Sequence, residues 1–212
     1  MAKNFASIAF TDAVKALQEK YGSRASYERM ELQTFLDELK ESEMDFISQR
    51  DSFYMASIGE KGFPYIQHRG GPKGFVKVLD AKRIGFLEFR GNMQYVTVGN
   101  IATNNNVAII MVDYRIRTRL KIFAKAEIVD LKDNPELYEV LDLKDYKFKP
   151  ERMMILHVEA YDWNCPQHIT PRYTAEDIEG AFAGQREHIT KLEAEIKALK
   201  QRLKKKNNDK RF

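Results

Sequence analysis

Three short segments concentrate the residue types that hold anions and flat polar rings. They are His68-Arg69-Gly70-Gly71-Pro72-Lys73-Gly74, Arg90-Gly91-Asn92-Met93-Gln94-Tyr95 and Arg115-Ile116-Arg117-Thr118-Arg119-Leu120-Lys121. A phosphate needs donors that cost little to aim at it: backbone N–H groups freed by glycine, and Arg or Lys. The first segment has both. It is not a P-loop, since no Gly-Lys-Ser/Thr follows and a strand comes next. By itself it reads equally well as a glycine-rich turn with Arg69 and Lys73 in solvent. In the second segment, N–H groups at the start of a short helix favour an anion. The amides of Asn92 and Gln94 suit the edge of a heteroaromatic ring, although Asn92 alone reads as a helix cap. In the third, Arg115, Arg117 and Arg119 alternate and share one side of an extended chain, and Tyr114 offers a stacking surface. A charge-protected hairpin edge explains Arg115 and Arg117 better than Arg119, which lies closest to the strand body. If the three segments converge, they hold one phosphorylated aromatic small molecule.

Other chemistries have little support. The four histidines, His68, His157, His168 and His188, show no metal-ligand spacing, and His157 reads as a structural residue of an apolar strand. The single cysteine, Cys165, excludes an internal disulfide framework and a Cys-rich metal site. No base stands beside it in sequence, which makes it a weak candidate nucleophile. Neither Gly-x-Ser-x-Gly nor His-Glu-x-x-His occurs. A chain so poorly equipped for hydrolysis points to chemistry borrowed from a cofactor.

The elements that must position these segments change period along the chain. Helical spacing opens it. Thr11 is placed to cap a helix carrying Val14, Leu17 and Tyr21, with Gly22 as its stop. Ser23 to Glu31 reads as a polar connection. A second helix is expected from about Leu32 to Gln49, with Leu32, Phe35, Leu36 and Leu39 on one face and Phe46 and Ile47 further on. Strand patterns then follow at Phe53–Ile58, Pro64–His68, Phe75–Leu79, Ile84–Phe89, Val107–Val112, Leu120–Val129 and Met153–Tyr161. Short helices are expected at about Gln94–Asn104 and Asp133–Asp142. Strands joined mostly by turns predict a closed or nearly closed antiparallel barrel. After a loop from Trp163 to Pro171, Thr174 caps a long helix. Its residues Ile178, Phe182, Gln185, Ile189, Leu192, Ile196, Leu199 and Leu203 follow a heptad.

In combination the segments resemble a known family, the pyridoxamine 5′-phosphate oxidase-like flavin-binding proteins. The resemblance is carried by Arg50-Asp51-Ser52-Phe53-Tyr54-Met55-Ala56-Ser57, by His68 to Phe75, by Phe89 to Tyr95, and by Met111-Val112-Asp113-Tyr114 with Arg119-Leu120-Lys121. The closing Glu159 to Ile169 fits a subgroup of predicted flavin-nucleotide-binding proteins. The resemblance spans about Arg50 to Tyr173. It implies a mainly β fold with flanking helices, a six-stranded antiparallel split barrel that binds FMN at a homodimer interface. It places His68, Arg69 and Gly70 along the flavin, and Asn92, Gln94 and Tyr95 near its phosphate and ring. Arg119 takes a position that reaches the isoalloxazine, Trp163 is an aromatic near the flavin from the other subunit, and Lys73 is a further phosphate candidate. Two departures stand out. Met93 replaces a position that is often basic in relatives. No Arg follows Trp163 until Arg172, so pyridoxamine phosphate oxidation does not carry over and the substrate stays open.

The expected organisation is a helical lead-in over residues 1–49, a flavin-binding split barrel over 50–173, and a helical, basic tail over 174–212. From Arg186 to Phe212 the tail carries ten Lys and Arg against four Asp and Glu, a net +6, which leaves −2 for residues 1–185 of a chain whose total is +4. The body therefore makes no case for nucleic-acid binding, and the tail reads first as a solvated coiled-coil face with a basic end. No run of 18 apolar residues exists, and Met1-Ala2-Lys3-Asn4-Phe5 lacks a signal-peptide core. The expectation is a soluble cytoplasmic FMN-dependent oxidoreductase, without metal. The alternative is a barrel that binds or carries a flavin or nucleotide without turnover.

Overall fold

The computed structural model describes residues 4–33, 38–164 and 166–208. The chain forms two units, Met1–Ile169 and Thr170–Phe212.

The first unit begins with α1 (Phe5–Ala9), α2 (Asp12–Lys20), α3 (Arg24–Gln33) and α4 (Glu41–Ser48). The short α1 was not legible in the hydrophobic pattern. A capping box starts it: the Asn4 side chain accepts from the Ser7 N–H at 2.7 Å, and Ser7 Oγ accepts from the Asn4 N–H at 3.2 Å. Thr11 caps α2 as expected, and Gly22 follows with φ of 75°.

Two helical expectations are corrected. The supposed connection from Ser23 to Glu31 is mostly helix α3. Arg24 donates to Gln18 at 3.0 Å and to Glu31 at 2.7 Å, and Lys15 pairs with Glu31 at 3.0 Å. These polar contacts, two of them to α2 and one within α3, stabilise a segment whose own pattern has no apolar stripe. The single helix expected from Leu32 to Gln49 is two elements, since α3 ends at Gln33 and α4 starts at Glu41. Phe35 and Leu36 lie outside the described residues. Leu39, Phe46 and Ile47 enter the core as expected, but Leu32 is exposed.

The strands are β1 (Ser52–Ile58), β2 (Pro64–Gly70), β3 (Lys77–Asp80), β4 (Arg83–Phe89), β5 (Asn106–Asp113), β6 (Thr118–Val129) and β7 (Pro150–Asn164). Helix α5 (Val96–Thr103) lies between β4 and β5, and α6 (Pro135–Leu141) between β6 and β7. All seven strands belong to one antiparallel sheet in the order β2-β1-β5-β6-β7-β4-β3. This is the split-barrel architecture, mainly β with flanking helices. It has seven strands where the resemblance implies six, because the four-residue β3 pairs along one edge of β4.

Alternation decides which side chains fill the barrel. Phe53 and Met55 of β1, Ile109 and Met111 of β5, and Leu120, Ile122, Ala124 and Ala126 of β6 are all buried on the inner face. Phe75 and Val76 are buried although β3 begins only at Lys77. β7 runs further than the Met153–Tyr161 pattern because β6 is long enough to pair with it from Val129↔Met153 to Arg119↔Asn164. Trp163, expected in a loop, therefore sits in a strand. A second cluster, Leu87, Leu141, Met153 and Ile155, packs β4, β7 and α6 together. His157 is not a core residue: its ring pairs with Glu127 at 2.7 Å, with about two fifths of the side chain exposed.

The second unit contains α7 (Ala175–Asn208), 34 residues long. Thr174 Oγ1 accepts from the Asp177 N–H at 3.1 Å and Asp177 Oδ2 accepts from the Thr174 N–H at 3.0 Å, so the helix start predicted at Thr174 holds. Among the described residues no helix is long and apolar enough to cross a membrane.

Candidate functional site

Polar side chains from β2, β4, β7 and the loop before α5 meet at one pocket. Glu88 is at its centre. This residue is 5 % exposed in a strand that is otherwise apolar, and a buried carboxylate must be paired. Arg69 of β2 reaches it at 2.5 Å and Arg152 of β7 at 2.6 Å. Arg152 is its cross-strand partner in the β4–β7 register. Arg152 also contacts Glu151 at 3.3 Å and lies over the Tyr95 ring, 5.0 Å from its centre. The Tyr95 hydroxyl donates to Glu151 at 3.3 Å, and Arg90 pairs with Glu151 at 3.8 Å. Three guanidiniums thus face two carboxylates, and the cluster carries one net positive charge.

The loop that closes the pocket is conformationally unusual. Met93 has φ of 60° and Tyr95 φ of 53°. Both are non-glycine residues in the left-handed region, which costs about 1–3 kcal/mol each. Asn92 does not cap α5. Its Oδ1 accepts from the Gln94 N–H at 3.2 Å, and Tyr95 takes the N-cap position without a side-chain bond. Thr97 anchors the first turn of α5 by donating to Gln67 Oε1 at 2.9 Å. Gln94, Tyr95 and Thr97 all line the pocket.

One donor here is unused. Arg69 Nε is buried and has no hydrogen-bond partner, which for a charged donor is expensive. An added oxyanion would satisfy it. The pocket is an open cleft of about 50 Å³, well below the ~300 Å³ at which sites for whole drug-sized ligands begin. A tricyclic ring attached to such an oxyanion would have to lie outside this pocket.

The pocket gathers four of the residues singled out in sequence: Arg69, Asn92, Gln94 and Tyr95. It does not gather the other five. His68 points to the opposite face of β2, where its ring meets Tyr54 edge-on at 5.4 Å. Gly70 pairs with Ser52 in the β1–β2 ladder. Lys73 lies in the turn after β2. Arg119 is on the outward face of β6, and its Nε is a second buried donor without a partner.

Trp163 belongs to a separate polar cluster. Its indole N–H donates to Glu43 of α4 at 2.6 Å, and its ring meets Phe46 edge-on at 4.9 Å. Glu43 also accepts from the Tyr161 hydroxyl at 3.1 Å, from Ser42 Oγ at 3.0 Å and from the Lys40 N–H at 3.1 Å. Burial pushes the Glu43 carboxyl up, but the bonds from Trp163, Ser42, Lys40 and Tyr161 together outweigh it and hold the group below its ordinary range.

The glycines of the first segment shape the chain and leave little to a ligand. The Gly71 N–H donates to the Asp51 carbonyl at 2.9 Å, and the Gly74 N–H to the Arg50 carbonyl at 3.0 Å. A Cβ on Gly71 would lie 2.7 Å from the Phe75 ring, and Gly74 has φ of 77°. The N–H groups of Gly71 and Gly74 are spent on tying the turn after β2 to the segment before β1.

Sequence reasoning missed Glu88, Glu151 and Arg152. One signal was available for Glu88, a lone carboxylate inside Ile84–Phe89. Nothing local marks Arg152, which becomes a neighbour only through the β4–β7 register. Among the described residues no cluster of three or more His, Cys, Asp or Glu is arranged to hold a metal.

A split barrel with a charged pocket at the end of one strand pair defines the class. Residues 39–159 match the family model described as pyridoxamine 5′-phosphate oxidase, and the chain belongs to that family. No curated protein matches it. Among solved structures, Group A Streptococcus HupZ is 20% identical over 64% of this chain and 99% of its own, with a TM-score of 0.48. A candidate pyridoxamine 5′-phosphate oxidase from Lactobacillus delbrueckii is 22% identical over 62% of this chain and 97% of its own, with a TM-score of 0.47. General stress protein 26 from Bacillus anthracis is 13% identical over 57% of this chain and 89% of its own, with a TM-score of 0.39.

Proposed function

We propose that this chain binds FMN and acts as an FMN-dependent oxidoreductase, with the flavin held at the interface of a homodimer. The observation that carries the reading is the pocket around Arg69, where a buried guanidinium N–H without a partner sits beside a strained loop and the side chains of Asn92, Gln94 and Tyr95. Membership of the pyridoxamine 5′-phosphate oxidase family adds to it.

Arg69 would donate its free Nε–H to the phosphate, and Arg152 would add positive potential from behind Tyr95. Asn92 and Gln94 would meet polar edges of the ligand. Glu88 keeps both guanidiniums in place before any ligand arrives, which is preorganisation at the cost of part of their charge. Bound FMN supplies the electron-accepting ring.

The homodimer has support from the outward face of β1 and β2. Tyr54, Ile58 and Ile66 are 42%, 42% and 65% exposed there. Exposed apolar side chains on adjoining strands are the usual mark of an interface. His68 and Gly70 share that face, and with Arg119 and Trp163 they would meet the ring from across the dimer.

The test is the visible spectrum of the purified protein, followed by titration of the flavin-free protein with FMN. Flavin absorption, or quenching of FMN fluorescence on binding, is expected. A colourless protein that leaves added FMN unchanged overturns the proposal. One observation favours binding without turnover as a second reading: the pocket carboxylates Glu88 and Glu151 are both engaged in ion pairs with arginines. That reading is preferred if bound FMN is reduced by neither NADH nor NADPH.

A further inference from the structure

Helix α7 carries an apolar stripe that is exposed along its length. Ile178, Phe182, Ile189, Leu192, Ile196, Leu199 and Leu203 are each between 44% and 59% exposed. They form one stripe, together with Gln185, along about 38 Å of helix. A helix of 34 residues draws most of its stability from packing such a stripe, and this one is exposed from end to end.

We propose that α7 pairs with α7 of a second copy of this chain as a parallel, in-register, two-stranded coiled coil. This stands apart from the flavin reading. Three features of the stripe select that occupant.

The first is the order of residue types. With Phe182, Ile189, Ile196 and Leu203 at position a, position d holds Ile178, Gln185, Leu192 and Leu199. The central two heptads are therefore Ile at a and Leu at d, the combination that packs best in parallel dimers.

The second is Gln185. Two copies in parallel place Gln185 opposite its own counterpart, where the two amides hydrogen-bond to each other. An antiparallel pair sets each d residue against an a residue, and every a residue here is apolar. Each Gln185 would then be buried without a partner, at a cost that specifies orientation and register.

The third is charge. In a parallel pair, position g of one helix faces position e of the next heptad on the other. Those positions set Glu195 against Lys200, and His188 against Glu193. The visible intrahelical ion pair, Lys191 to Glu187 at 2.8 Å, lies on positions c and f and leaves the seam free. Gly180 and Gly184 also occupy f and c, and a Cβ on either would meet nothing.

The experiment is disulfide trapping in the full chain. Cys165 is the lone cysteine, so Cys165→Ser gives a thiol-free background. Gln185→Cys and Leu199→Cys each place one thiol at d, and Ala194→Cys places one at the outward position f. Under mild oxidation both d variants are expected to form covalent dimers, and the f variant to do so about ten-fold less, since only facing thiols meet disulfide geometry. Adding Leu192→Lys to Gln185→Cys should abolish the cross-link while the far-ultraviolet strand signal of the barrel is retained. Absence of cross-linking at both d positions, or cross-linking at Ala194→Cys as fast as at d, overturns the proposal. A barrel-only dimer and an antiparallel pair both give that negative result, because neither brings Gln185→Cys against itself.

Discussion

Two glutamates are buried in the barrel unit and are satisfied in opposite ways. Glu88 is neutralised by two guanidiniums, Arg69 and Arg152. Glu43 is held by an indole, a phenol, a serine hydroxyl and a backbone N–H. The first arrangement more than offsets the carboxylate's charge and leaves an Arg69 donor to spare at a pocket. The second leaves the charge in place and spends it on tying α4 to the end of β7. The difference separates a charged pocket with a donor to spare from a joint that holds an aromatic residue still.

The contrast is broken most forcefully at Glu88. Glu88→Ala leaves two buried guanidiniums facing each other and should cost about 3–5 kcal/mol, read as a fall in the urea midpoint. A loss under about 1 kcal/mol would mean that water screens the pair. Glu43→Ala should cost less, about 2–3 kcal/mol, because its donors are neutral and some can turn to water. Trp163 is the lone tryptophan, so its emission reports on this joint alone. A red shift is expected in Glu43→Ala, and an unchanged spectrum would show that Phe46 fixes the ring without Glu43.

Acid tests the same joint. The folded Glu43 carboxyl titrates below its ordinary value of 4.5. Its contribution is therefore fully present above that pH in the unfolded reference and is lost as pH falls through the lower folded value. Glu43→Gln should remove this part of the acid sensitivity, so the stability gap between wild type and variant should narrow as pH drops below about 4.5.

At the pocket, Met93→Lys adds a cation beside the Arg69 donor and should tighten FMN binding by about two- to five-fold, the worth of an exposed charge pair. No change in the titration would place the phosphate elsewhere. The smallest effect is expected at Arg83, whose pair with Asp80 at 2.7 Å is half exposed. Arg83→Ala should change stability by less than about 0.5 kcal/mol.

Much of this architecture was legible along the chain. Alternating and continuous apolar stretches located the strands: Phe53-Tyr54-Met55 alternates between a packed and a free face, while Ile84 to Glu88 is buried throughout. Thr11 and Thr174 marked helix starts because their side chains act on N–H groups three residues away. The segment around Ser23 failed for the converse reason: it is held by Arg24 reaching Gln18 and by Lys15 reaching Glu31, and such contacts between α2 and α3 leave no periodic trace.

The candidate site divides along the same line. Residue types and local spacing marked Arg69, Asn92 and Gln94 as candidates for holding an anion or a polar ring, and the family resemblance added Tyr95. Type and spacing also set the heptad of α7, because a side chain's chemistry and its place in a repeat are properties of the chain alone. Only the tertiary structure decided that Gly71 and Gly74 spend their N–H groups on the chain itself, that Glu88 and Arg152 stand behind Arg69, and that Glu43 holds Trp163. Strand register and helix docking bring those residues together across long stretches of sequence, and neither is encoded within the reach of a local pattern.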